Sequence, residues 1–148
     1  MAAPHYTPSG KPVQGSAGSS KDLRDEFLLV ETGIQVLNSI PIIAHFSDAN
    51  TAGQVYVGVP WDCTITKVYI TNDVSNTTTD TIFTLKIAGV AVTDGAGTLL
   101  SSAQLGTVVT ITPTALNAIA AGQGLEIETD GGGSPVMPCN CTCLFERT

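Results

Sequence analysis

The chain has 148 residues, enough for one domain that folds without disulfides or metal, since a compact domain of this size buries about 70% of its unfolded surface. Thirteen acids against six bases give a formal net charge of −7, and the Lys and Arg residues are scattered singly. Phosphate contacts need clustered cations, so nucleic acid is excluded as the expected partner. No stretch approaches the roughly 20 consecutive apolar residues that span a bilayer, so no membrane partner is expected either.

Residues 1–20, MAAPHYTPSGKPVQGSAGSS, are dominated by Pro, Gly, Ser and Ala and show no hydrophobic period. Such a segment buries too little apolar surface to offset its ordering entropy, so a flexible arm is expected here. The N-terminus has no basic start followed by an apolar run, which points to cytosolic synthesis with reduced thiols. Residues 21–40 form a connector. Asp22 is placed to cap a short helix with Leu23, Phe27 and Val30 on one face and Gly33 as its stop. The run FLLV fits a strand equally well, and the two alternatives stay open. The domain division is therefore 1–40 for the arm and connector and 41–148 for a folded body.

From about residue 41 the texture changes to short β-branched and aromatic runs. IPIIAHF, QVYVGV, CTITKVYIT, DTIFTLKIAG, GTVVTIT, GLEIET and PCNCTCLFER follow one another. Turn material separates them, including DANTAG, PWD, NDVSNTTTD, DGAG, AAGQG and DGGGSP. Val55, Val57 and Val59 alternate with polar or small residues. Phe83, Leu85 and Ile87 do the same, as do Leu125 and Ile127 against Glu126 and Glu128. A period of two is the mark of half-buried antiparallel strands. Only PTALNAIAAG, residues 113–122, reads as a helical turn, ended by Gly122. The fold class expected is all-β: an antiparallel β-sandwich or jelly roll of about seven or eight strands with a flexible N-terminal arm.

The stretch CNCTC puts Cys139, Cys141 and Cys143 on one side of an extended strand, with Phe145 continuing the row. Ligands about 6.5–7 Å apart along a straight strand do not converge on one tetrahedral ion. The same spacing strains a disulfide between alternate residues. The row reads as core-facing thiols, and Cys63 is a candidate to lie opposite one of them. His5 falls in the arm and His45 in a strand, and neither sits in a catalytic signature. Glu126, Glu128 and Asp130 offer either a calcium- or sugar-binding edge or a plain solvated face. No cofactor is expected, and no nucleophile, base and orienting group can be assembled into an enzyme.

The segment order is itself recognisable. GQVYVGVPWDCTITKVYIT is followed by DTIFTLKIAGVAVTDGAGTL, then GTVVTITPTALNAIAAGQGLEIETDGGGSP, then a last strand ending in an arginine. Over residues 53–148 this resembles small virion structural proteins of tailed bacteriophages, in particular head decoration (cement) proteins. The matching positions are Val59-Pro60, Ile65 to Val68, Thr81 to Gly89, Pro113 to Gly122 and Ile127 to Gly131. The cysteine-rich last strand departs from the Val or Ile usual there.

The resemblance implies a sandwich seated on the outer surface of a capsid. Its expected partners are the major capsid protein and further copies of itself as a homo-oligomer, with a trimer as the expected form. The expected partner-binding residues are Tyr6, Phe27, Leu28, Leu29 and Trp61. The alternative is a carbohydrate-binding or adhesin-like module, for which Trp61 in VPWDC is the one candidate platform.

Overall fold

The computed structural model describes residues 39–132 and 135–148. These all belong to the compact unit Ser39–Thr148. The arm, the undecided connector, and with them Tyr6, Phe27, Leu28 and Leu29, lie outside the described residues.

Nine strands are found among the described residues, and no helix. They are β1 (Ser39–Phe46), β2 (Gly53–Gly58), β3 (Cys63–Asn72), β4 (Thr81–Ile87) and β5 (Val90–Leu99), then β6 (Val108–Ile111), β7 (Ala118–Ile119), β8 (Gly124–Thr129) and β9 (Cys139–Arg147). Sheet I runs β1-β9-β3-β6, with the short β7 also on β3; sheet II runs β2-β8-β4-β5. Every pairing between these strands is antiparallel.

The pairs are nested: β4 with β5, β3 with β6, β2 with β8, β1 with β9. One long antiparallel ribbon is thus folded over on itself so that alternate pairs fall in opposite sheets, which is the jelly-roll solution to covering two apolar faces. The expected all-β sandwich is what the chain adopts, with the first strand beginning at Ser39, slightly ahead of residue 41.

Alternation decides which side chains enter the core. Phe83 and Leu85 on β4 and Leu125 and Ile127 on β8 are fully buried. They face Ile65, Val68 and Ile70 of β3 and Cys139, Cys141, Cys143 and Phe145 of β9 in the same cluster. Phe46 and Phe83 meet with ring centroids 5.9 Å apart and planes tilted by 59°, a favourable aromatic geometry.

Two local expectations are corrected. DGAG is not a turn between strands; it lies inside β5. There the β4–β5 register jumps from Thr84↔Ala96 to Lys86↔Ala91, so a wide bulge is accommodated. Asp94 takes a positive φ of 54° at the bulge. Gly97 then lets β5 press onto β6, since a Cβ there would stand 2.6 Å from Val109 Cγ1. The actual turn is Ala88-Gly89, where both residues have positive φ (50° and 77°), the requirement of a two-residue type I′ hairpin.

PTALNAIAAG is not a helical turn either. Leu116 has φ +55°, which a right-handed helix cannot contain. Backbone partners elsewhere win: Thr93 N donates to Ala115 O at 3.0 Å, Thr114 N donates to Thr93 O at 3.1 Å, and Ile65 N donates to Asn117 O at 2.9 Å. Ala118 and Ile119 then pair with Thr64 and Cys63 as β7. Helix propensity over ten residues is weaker than a ready-made sheet edge.

Candidate interaction surfaces

The cysteine row is the first place to look for chemistry. All three thiols of β9 are fully buried, and all four cysteines are free. Cys139, Cys141 and Cys143 stand opposite Phe46, Ala44 and Ile42 on one side and Asn72, Ile70 and Val68 on the other. Cys63 is not opposite any of them; it pairs at the far end of the sheet with Arg147 and Ile119. Burial, the largest influence, pushes each of these three thiols up to about 12. A thiol held protonated is neither a nucleophile nor a metal ligand. Among the described residues no group of three or more His, Cys, Asp or Glu is arranged to hold a metal ion. The row packs as small hydrophobes do.

One end of the sandwich carries the loops 47–52, 73–80, 100–107 and 130–138. Four acids sit there, three accepting from backbone N–H groups and Asp73 from a side-chain amide. Asp48 accepts from Asn50 N (3.0 Å), Thr51 Oγ1 (2.6 Å) and Met137 N (2.9 Å). The Thr51 and Met137 bonds, the largest influences, hold its carboxyl below the usual range. Asp80 accepts from Ser101 N at 2.8 Å and Asp130 from Ile82 N at 2.7 Å. Asp73 accepts from Asn140 Nδ2 at 3.0 and 3.1 Å. Beneath them the buried Asn50 joins Thr81 Oγ1 (2.8 Å) to Pro135 O (2.7 Å). These acids tie the loops to one another and to β4 and β9, which is a structural duty. Asn76, the first residue of an Asn-Thr-Thr sequon, is 1% exposed and donates to Thr79 O and Leu99 O, so the folded domain shields it from glycosylation.

The opposite end holds Trp61. It is half-buried against the core rather than presented as a platform. Arg147 at the end of β9 lies over the indole, with its guanidinium carbon 5.2 Å from the ring centroid. That geometry is a cation–π contact. The indole Nε1 is buried with no partner. Asp62 beside it accepts from Ala121 N at 2.8 Å.

The exposed aromatic is instead Tyr56, 64% accessible on the outer face of β2. It stands opposite Glu126, which in turn stands opposite Lys86. Lys86 pairs with Glu128, so this carboxylate edge is a solvated, charge-paired strand face. Tyr56, Ala88, Gly89, Gln123, Gly124 and Glu126 line a shallow groove of about 420 Å³.

Large exposed apolar residues are spread over several other places, including Val74 and Val136 on the loops of one end, Leu116 and Val90 at the other, and Ile82 on β4. Ile43 on β1 is 72% accessible; Leu105, Leu100 and Val108, around the β5–β6 connection, are 66%, 56% and 52%. Gly97, Leu99, Leu100, Ala103, Val108 and Val109 are among the residues lining a groove of about 390 Å³ at that edge. Reading the sequence for candidate residues missed Tyr56, Ile43 and Val108. The signal was present, since each is out of phase with its strand's buried positions. Comparison with protein-family models and with curated proteins finds no match.

Proposed function

We propose that this protein is a capsid decoration (cement) protein of a tailed bacteriophage. It binds the outer surface of the expanded head, next to the major capsid protein, and stabilises it. On this reading it is made in the host cytoplasm, ends on the virion surface and performs no catalysis. The observation that carries the reading is a jelly roll with large apolar residues exposed on its surface, Ile43 on β1 and Leu100, Leu105 and Val108 around the β5–β6 connection among them, in a body of nine acids and three bases. Such patches mark surfaces that meet other proteins. The choice of a capsid as the partner rests on the resemblance of residues 53–148.

The physical role follows from linkage. A head strained by packaged, self-repelling DNA is stabilised by any ligand that binds only its expanded form. Many identical sites on one shell, occupied by oligomers, add by multivalency. The arm, with Tyr6, Phe27, Leu28 and Leu29, adds contact area in exchange for ordering entropy. Co-sedimentation of the purified protein with expanded and unexpanded heads tests this. Saturable binding to expanded heads alone is expected. Equal or absent binding to both forms sinks the proposal, and unchanged binding after deletion of residues 1–20 removes the arm from it.

A second reading, a carbohydrate-binding or adhesin-like module, is favoured by one observation. The exposed Tyr56 ring beside Glu126 in an open groove has the aromatic and carboxylate groups that hold a sugar ring. Tyr56 is a better platform for it than Trp61, which Arg147 covers. A glycan array with wild type and Tyr56→Ala separates the two readings.

A further inference from the structure

We infer that the two lateral edges of the jelly roll are the two halves of one interface: the β1/β2 edge of one copy seats against the β5/β6 edge of the next. The inference rests on the reading of the protein as a homo-oligomer and names the surfaces that build it. At one side of the sandwich β1, the end strand of sheet I, meets β2, the end strand of sheet II; at the other, β6 meets β5. Among the described residues these are the places where sheet edges remain open, and open edges are sites of association.

Three observations make the edges a pair. The first is charge. β1 and β2 contain no Asp, Glu, Lys or Arg, and residues 95–125 contain none either. The described charges sit on end loops, on outer sheet faces, or at Asp94 on the β5 bulge. Copies that share an acidic excess repel one another except where both surfaces are neutral, and these edges are neutral.

The second is an incompletely sealed core. Inward-facing side chains on the inner strands β3, β4, β8 and β9 are buried. On the β1/β2 edge the inward-facing Ile42, Ala44 and Val55 are only half-buried, and Ile43 beside them is 72% accessible. A neighbouring copy seated here would complete their burial.

The third is shape. On the β1/β2 side Ile43 stands exposed on the outer face of the edge strand β1, whereas the β5/β6 edge has the 390 Å³ groove rimmed by Leu100 and Val108. An exposed side chain meeting a groove is a heterologous contact, each copy using both edges, and it closes into a ring when the rotation allows. Pro41 within β1 removes one backbone donor from that strand, so side-chain packing, not an added strand ladder, carries the contact.

The test uses the full-length protein without any capsid, so that failure to bind heads and failure of this interface are read separately. Ile43→Asp and Val108→Asp each place a charge on one edge at an exposed position, which leaves the core intact; circular dichroism and melting confirm the fold. Sedimentation velocity and native mass spectrometry are expected to show a closed oligomer for wild type and loss of it for either variant. The decisive sample is an equimolar mixture of the two variants. The Ile43→Asp copy keeps an intact β5/β6 edge and the Val108→Asp copy an intact β1/β2 edge. Together they form one good contact, and a one-to-one heterodimer is expected. A monomeric wild type, a variant that still assembles, or a mixture that stays monomeric would each overturn the inference.

Discussion

Raising the pH above about 9 should destabilise this domain steeply, through the buried thiols of β9. Cys139, Cys141 and Cys143 are fully buried, and burial raises each from an ordinary value of 9.0 to about 12. The folded pKa lies above the unfolded one. Their contribution to stability is therefore fully present below pH 9, and is lost as pH rises from there through the folded value near 12. In that window the unfolded chain releases a proton that the folded chain keeps. Each thiol then lowers stability by about 1.4 kcal/mol per pH unit, and the three together by about 4 kcal/mol per unit. The window from pH 9 to 12 removes up to about 12 kcal/mol, so a domain in the lower or middle part of the typical range of about 5–15 kcal/mol should unfold between roughly pH 10 and 12.

Urea titrations at a series of pH values, read by circular dichroism, measure the slope. Cys141→Val adds about one methyl group and removes one titrating group, so about a third of the cysteine-derived slope should disappear while overpacking lowers stability at pH 7 by about 1–3 kcal/mol. Under native conditions at pH 8 only about one thiol in ten thousand is ionised, so a thiol reagent should react no faster than the protein opens. Rapid labelling of the folded protein, or an alkaline slope untouched by Cys141→Val, would refute the account of the row as core packing.

Three further substitutions probe the fold. Ala88→Asn should raise stability by about 1 kcal/mol, measured by thermal melting, because Ala88 holds a positive φ of 50° that Asn tolerates better. Gly97→Ala should lower it by about 1–3 kcal/mol, since the new Cβ meets Val109 Cγ1 at 2.6 Å and Ile111 Cγ1 at 2.8 Å. Asp48→Ala should cost about 1 kcal/mol through three lost hydrogen bonds. Because the Asp48 carboxyl is held below its ordinary value of 3.8, its contribution is present above that pH and fades as pH falls. The difference in melting temperature between wild type and Asp48→Ala should therefore shrink on acidification.

The class of fold and most of its inward face were legible in the order of residues alone. Alternation in QVYVGV, TIFTLKI and GLEIET specified which side chains entered the core, because a strand offers only two faces and water decides between them. The same argument placed Cys139, Cys141 and Cys143 inside. Local pattern could not specify what depended on distant partners. DGAG has the composition of a turn, yet it runs as a bulged strand because Thr84 and Phe83 on β4 pair with Ala96 and Gly97, Lys86 pairs with Ala91 ahead of the bulge, and Gly97 fits against Val109. PTALNAIAAG has helical propensity, yet β3 offers it a free edge and Ile65 and Asn117 hold each other.

The fate of Trp61 was likewise tertiary, since only the end of β9 brings Arg147 over it. So was the gathering of neutral edges. Residues 39–58 and 95–125 are both nearly free of charge in the sequence. It takes the nested pairing of the jelly roll to put one on each side of the sandwich, where open edges and half-covered side chains face outward.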